Sequence, residues 1–188
     1  MSTVHVDRHH HVKAFVALHH VQQKRKYTGE PYLFHLVNVA EMAAKYVKFG
    51  YEIGLCHDLL EDTACTEDEL HEALIRFGYD HSESMLILGS VIELTDIYTH
   101  EAFPKLNRAI RKVKEARRLY YISSVSQTVK YCDLIDNTSS IVKHDKGFAI
   151  KYLQEKEFIL SGMTKGNHGA FIRCLNSLRK AQCELLNP

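Results

Sequence analysis

Apolar residues recur every three or four positions along most of the chain, which is the spacing of one face of an α-helix. Glycine and proline fall mostly between these stretches, at places where helices end. No stretch shows the alternation and hairpin turns that are typical of strands. The pattern predicts helices at residues 12–25, 36–49, around 57–58, 67–77, 82–95, 104–123, 126–142, 148–160 and 170–185.

This series of helices predicts an all-α fold, organised as a single compact helical bundle. A chain of 188 residues suits one domain with a sizeable core, and 45% hydrophobic and 25% charged residues are ordinary for a globular protein. We therefore expect one domain over residues 1–188, with a C-terminal helix over about residues 168–186 that packs on it.

Polar residues interrupt the apolar pattern around His57 and Asp58, which lie among isoleucine and leucine side chains. On a continuous helix, His57 and Glu61 lie four residues apart, as do Asp58 and Asp62, so each pair shares a face. One helix would then supply two metal ligands and, one turn later, two carboxylates. The alternative is a capped helix end, with Asp62 and Thr63 as turn residues.

Three more polar residues lie on apolar helices, namely His35, Asp133 and Asn137. His35 also fits a histidine at a helix start, but a carboxylate on an apolar helix is costly to bury without a partner. Together with His57 and Asp58, these residues offer two imidazoles and two carboxylates. Such a set suits Mn²⁺ or Fe²⁺, with positions left for water and substrate. Zinc stays open, although no thiolates stand at ligand spacing.

The composition narrows the function classes. A net charge of +1 does not favour nucleic acid or a membrane surface as partner. No apolar run is long enough for a transmembrane helix, and no signal-peptide pattern is present. The five cysteines form no C-x-x-C pair and are interpreted as reduced thiols of a cytoplasmic protein. Of the 13 histidines, those at 9–11 and 19–20 are interpreted as surface or helix-packing residues and not as metal ligands.

The order His35, His57-Asp58, Asp133 resembles the H…HD…D signature of HD-domain metal-dependent phosphohydrolases. Residues 24–35 (KRKYTGEPYLFH) resemble the R-K-x-G-E-P-Y-x-x-H stretch of RelA/SpoT-type (p)ppGpp hydrolases, among them the small alarmone hydrolases. Residues 57–63 and 130–137 resemble their H-D-x-x-E-D-T and K-L-A-D-x-x-x-N motifs. The resemblance covers about residues 10–160 and implies an HD-type hydrolase domain.

The resemblance also implies a role for each matching residue. The implied metal ligands are His35, His57, Asp58 and Asp133. The other implied site residues are Glu61 and Asp62 for the attacking water, Arg25 and Lys26 for the base or phosphates, and Asn137 for the sugar. Two departures from the family pattern are a turn after Lys26 that is one residue longer and Asp136 at a position usually held by His or Tyr.

These roles imply a metal-dependent (p)ppGpp 3′-pyrophosphohydrolase that yields GDP or GTP and pyrophosphate. The expected cofactor is a divalent metal, Mn²⁺ before Fe²⁺ or Zn²⁺, and the expected partner is a nucleotide, with a homo-oligomer left open. One alternative is an HD-type hydrolase of a dNTP, a nucleoside monophosphate or NADPH. Another is a nucleotide-binding module without turnover, which would have no need of Glu61 and Asp62. The basic stretch 105–118 either attracts a polyphosphate or is a solvated helix face.

Overall fold

The computed structural model describes residues 3–186, and the side chains of residues 8–186. Within this range all regular structure is helical, apart from one antiparallel bridge between Lys24 and Pro31. The helices are α1 (Thr3–His19), α2 (Leu33–Ala43), α3 (Gly50–Cys56), α4 (Leu59–Asp62), α5 (Glu67–Arg76), α6 (His81–Leu94), α7 (Arg108–Leu119), α8 (Ser124–His144), α9 (Lys146–Gly162) and α10 (His168–Leu186). The predicted all-α fold is confirmed. In the described part of the chain, every helix is too short or too polar to cross a lipid bilayer.

The chain forms two compact units, one up to Thr95 and one from Asp96 onward. In the first unit α3 is the central helix, because α1, α2 and α6 all pack against it. In the second unit α8 has this place, packed against α9 and α10. The single domain over residues 1–188 stays a prediction.

The first helix begins and ends earlier than its apolar pattern predicted, since α1 runs from Thr3 to His19 and not from residue 12 to about residue 25. The chain instead folds back on itself over residues 20–32. The backbone amide of Arg25 donates to the carbonyl of Glu30 at 2.8 Å, and Gly29 adopts the left-handed conformation with φ 70°. A side chain at that φ is strained, which explains why a glycine closes this turn.

The helix predicted around His57 and Asp58 is broken at these two residues. Helix α3 ends at Cys56 and α4 begins at Leu59, with Asp58 at φ −104° and ψ 3°. The expectation that His57 and Glu61 share the face of one continuous helix is therefore wrong. Asp58 and Asp62 remain one turn apart, because the amide of Asp62 donates to the carbonyl of Asp58 at 2.9 Å.

Helices α2 and α3 approach each other closely at a glycine. A Cβ atom built on Gly54 would lie 2.6 Å from the Cα of Ala40 and 2.8 Å from its amide nitrogen. Real side chains do not tolerate such contacts with backbone, so the approach requires glycine. This contact holds α2, which carries His35, against α3, which ends just before His57.

Candidate metal centre and active site

Two buried histidines meet between α2 and the end of α3. His35 is 0% exposed and His57 is 1% exposed, and their ring centroids lie 5.2 Å apart. The Nδ1 of His57 donates to the carbonyl oxygen of Gly54 at 2.8 Å. Because the proton of the neutral ring is then on Nδ1, the Nε2 has a free lone pair. This is the usual tautomer of a histidine that ligates a metal.

Asp58 completes a cluster of three donor atoms. Its Oδ2 lies 3.0 Å from the Nε2 of His57 and 3.7 Å from the Nε2 of His35, and the three atoms all lie within 4.8 Å of one another. The hydroxyl of Tyr32 donates to the same carboxylate oxygen at 2.6 Å and so orients it. Two imidazole nitrogens and a carboxylate oxygen fit a divalent ion of the Mn²⁺ or Fe²⁺ type. The cluster is thus able to hold a metal ion, whose identity the donors alone do not fix.

The two carboxylates expected to act on water lie on the short helix α4, which follows Asp58 directly. Glu61 and Asp62 are both exposed. The Nε2 of Gln23 donates to the Oδ2 of Asp62 at 2.8 Å. Although Asp62 is exposed, the surrounding protein displaces some of the water around its carboxyl and so raises its pKa; the bond from Gln23 opposes this shift, and the nearby Asp58 carboxylate adds to it. The bond from Gln23 holds the Asp62 carboxylate in place.

The sequence analysis did not identify the side chains that orient Asp58 and Asp62. His20 is 3% exposed, and its Nδ1 donates to the Oε1 of Gln23 at 2.5 Å. Its ring also stacks on Tyr32, with centroids 5.6 Å apart. Tyr32 lies within the motif that pointed to His35, so its role had a signal in the sequence. Gln23 and His20 had none, because their contacts depend on the fold-back of residues 20–32.

Arg25 and Lys26 lie in this fold-back, in the same unit as the metal cluster. Arg25 is half-buried and its carbonyl accepts from the amide of Gly29 at 3.0 Å, whereas Lys26 is exposed with its Nζ 5.1 Å from the ring centroid of Tyr27. Backbone hydrogen bonds therefore define the turn that carries both residues. Their contact with a substrate stays a prediction.

Asp133 and Asn137 lie together on α8, in the second unit. Asp133 is 4% exposed, its Oδ1 accepts from the Nδ2 of Asn137 at 2.5 Å, and its Oδ2 pairs with the Nζ of Lys130 at 2.9 Å. Asp133 is thus a buried carboxylate with partners of its own on α8. Its predicted role as the fourth metal ligand stays a prediction.

Both residues face a cavity of about 420 Å³ within the second unit. Its lining includes ring and alkyl surface from Tyr152 and Leu134 and two cations of the basic stretch, Arg108 and Lys112. Both cations are already paired: Lys112 with Asp96 at 2.9 Å, and Arg108 with Glu155 at 2.8 Å. The cavity thus combines apolar surface with cations that carboxylates already pair. The attraction of a polyphosphate by the basic stretch stays a prediction.

No family model matches the chain. In sequence, the chain is similar to the guanosine-3′,5′-bis(diphosphate) 3′-pyrophosphohydrolase of Aquifex aeolicus (strain VF5), with 45% identity over 64 residues. The match covers 31% of this chain and 8% of the length of that relative. In structure, the chain is similar to a metazoan ortholog of SpoT that hydrolyses ppGpp and plays a role in starvation responses. The TM-score is 0.75, and the match covers 92% of this chain and 94% of that one at 19% identity.

The chain has the fold of this SpoT ortholog. The resemblance to SpoT-type hydrolases inferred from the motifs is confirmed, by sequence over a short stretch and by fold over nearly the whole chain.

Proposed function

We propose that this protein is a metal-dependent hydrolase that removes the 3′-pyrophosphate of (p)ppGpp and yields GDP or GTP and pyrophosphate. The observation that carries the proposal is the cluster of His35, His57 and Asp58, which lies on the fold of a protein that hydrolyses ppGpp. The similarity to the Aquifex hydrolase supports the same substrate.

For the metal, we propose that Asp133 joins His35, His57 and Asp58 as a ligand and that the ion is Mn²⁺. Nitrogen and carboxylate donors without a thiolate favour this ion or Fe²⁺. When bound, the ion neutralises phosphate charge and activates water as a Lewis acid. The protein contributes the orientation of its ligands: the carbonyl of Gly54 sets the His57 ring, and the hydroxyl of Tyr32 sets the Asp58 carboxylate.

Glu61 and Asp62 orient the attacking water and accept its proton. Their place one turn after Asp58 supports this role, and so does the bond from Gln23 that holds Asp62. Arg25 and Lys26 bind the base or the phosphates. Asn137 binds the sugar from the cavity wall that it shares with Asp133.

The substrate is tested by incubating the protein and Mn²⁺ with ppGpp, dNTPs, nucleoside monophosphates and NADPH, and separating the products by chromatography. We expect GDP and pyrophosphate from ppGpp, and no such products from the His57→Ala variant, which controls for a contaminating enzyme. Consumption of another nucleotide with ppGpp untouched would refute the substrate. Tight binding of ppGpp without turnover would instead indicate a binding module.

The ligand set is tested by metal analysis of His57→Ala and Asp133→Ala. We expect both variants to lose metal and activity together, because each removes a ligand. Asp133→Ala with wild-type metal content would show that Asp133 is not a ligand.

A further inference from the structure

A second cluster of metal-ligating side chains lies in the first unit and consists of other residues. His19 is the last residue of α1, Cys65 stands just before α5, and Glu69 lies in the first turn of α5. One nitrogen, one sulfur and one carboxylate oxygen of these residues all lie within 4.8 Å of one another. The Nε2 of His19 and the Oε1 of Glu69 are 3.5 Å apart.

These separations are close to those around a tetrahedral zinc ion. With bond lengths of about 2.0–2.2 Å, two nitrogen or oxygen ligands at the tetrahedral angle lie about 3.4 Å apart, and a sulfur lies only slightly further. His19 and Glu69 already have this spacing, and the distances from the sulfur of Cys65 to the other two ligand atoms have to shorten by about 1.2 Å at most. The side chains of His19 and Glu69 both reach solvent, so small rotations of them bring their ligand atoms closer to the sulfur.

The backbone around the cluster is held independently of any ion. The hydroxyl of Thr66 caps α5 by accepting from the amide of Glu69 at 3.2 Å. The amide of Cys65 donates to the Oγ1 of Thr63 at 3.1 Å, and the ring of His19 packs edge-on against Phe15 with centroids 4.5 Å apart. The backbone that carries the three ligands is therefore fixed before a metal arrives, which reduces the entropy lost on binding.

We propose that His19, Cys65 and Glu69 form a zinc site, with water as the fourth ligand. The thiolate makes the site softer than the cluster of His35, His57 and Asp58, so the two sites select different ions. Zinc binds the sulfur as a thiolate, and the thiol proton passes to solvent as the zinc–sulfur bond forms.

The thiol is protonated before metal binds. Burial raises the pKa of Cys65 to about 12, and the Glu69 carboxylate contributes to the shift. Such a thiol is a poor nucleophile, which argues against a catalytic role for the same three residues.

The site connects two segments on either side of Asp62. His20, which follows His19, is hydrogen-bonded to Gln23, and Gln23 is hydrogen-bonded to Asp62. A bound zinc ion ties the end of α1 to the start of α5 and so restrains this network. We expect zinc to raise the melting temperature of the protein, and the Cys65→Ser variant to lose this shift.

Cobalt is the probe, because a cobalt–thiolate bond gives a charge-transfer absorption band in the near ultraviolet. Chelator-treated protein is titrated with Co²⁺, and then with Zn²⁺ to displace it. We expect the band in the wild type and in Cys183→Ser, a matched control because Cys183 is exposed. We expect its loss in Cys65→Ser, and affinity at least about tenfold weaker in Glu69→Gln and His19→Gln.

Three results would overturn the proposal. They are no band in the wild type, a band that persists in Cys65→Ser, and a band that disappears in Cys56→Ser while Cys65→Ser keeps it. The last would place the thiolate next to His57. Circular dichroism of each variant shows whether it has folded. Glu69→Gln and His19→Gln change side chains that solvent reaches, so they test the site even if Cys65→Ser does not fold.

Discussion

Replacing Gly54 by alanine tests whether the close packing of α2 and α3 positions the metal ligands. The added Cβ would meet the Cα of Ala40 at 2.6 Å, its amide nitrogen at 2.8 Å and the carbonyl carbon of Val39 at 3.1 Å. All three are backbone atoms, which no rotamer change can move. Helix α3 therefore has to shift away from α2, and with it the carbonyl of Gly54 that orients His57.

The size of the effect follows from two opposing contributions. Overpacking a core typically costs about 1–3 kcal/mol, and three backbone contacts place this site at the upper end. The higher helix propensity of alanine relative to glycine stabilises the folded protein by about 1 kcal/mol. We expect a net loss of about 2 kcal/mol in the free energy of unfolding, or about 4–8 °C in melting temperature for a chain of this size. The affinity for Mn²⁺ should fall as well, because the shift separates His57 from His35.

Gly89→Ala is the matched control, since it makes the same chemical change on helix α6. A Cβ at Gly89 meets no atom within 4 Å. That substitution should stabilise the protein by about 0.5–1 kcal/mol and leave metal affinity unchanged. Urea unfolding measures the stability of both variants, and Mn²⁺ titration measures their metal affinity. If Gly54→Ala is as stable as the wild type and binds Mn²⁺ equally well, the close approach does not position His57.

Two further predictions concern single side chains. Glu61→Gln should keep metal and nucleotide affinity but lose roughly 10²–10⁴-fold in kcat, because it removes a proton acceptor and not a ligand; loss of metal, or a wild-type rate, would contradict this role. Lys156 is fully buried, and burial lowers the pKa of its ammonium below 10.5. The unfolded chain therefore binds more protons than the folded one between the folded pKa and 10.5, so stability rises with pH in that window. Urea unfolding at about pH 7 and about pH 9.5 should show the wild type gaining stability relative to Lys156→Met; equal changes would indicate a lysine with ordinary titration.

The sequence predicted the helices well because their apolar spacing is a local property. Most errors are at helix ends, where single side chains decide. The stretch from Pro104 was assigned to a helix, but α7 begins only at Arg108, after Asn107 caps it by accepting from the amide of Ile110 at 3.0 Å. Asparagine is a preferred N-cap residue, so this boundary had a signal in the sequence.

Three residues of the candidate metal cluster were predicted from the sequence, but their geometry was not. His35, His57 and Asp58 were found because polar groups on apolar helices are rare, and the structure brings them together. The break after Cys56 was not predictable, because nothing in the local pattern ends a helix there. The same holds for the bond from Gln23 to Asp62, which joins residues 39 positions apart.

The proposed metal ligands and the proposed substrate-binding residues are held in different ways. His35 lies on α2 and His57 directly follows α3, and these two helices pack together at Gly54, where a single methyl group would be too large. Arg25 and Lys26 lie on an exposed turn, held by backbone hydrogen bonds and a glycine with positive φ. Packed helices resist displacement, whereas surface turns tolerate insertion and change. We therefore expect the one-residue-longer turn to alter the preference among nucleotides and to leave the metal chemistry intact.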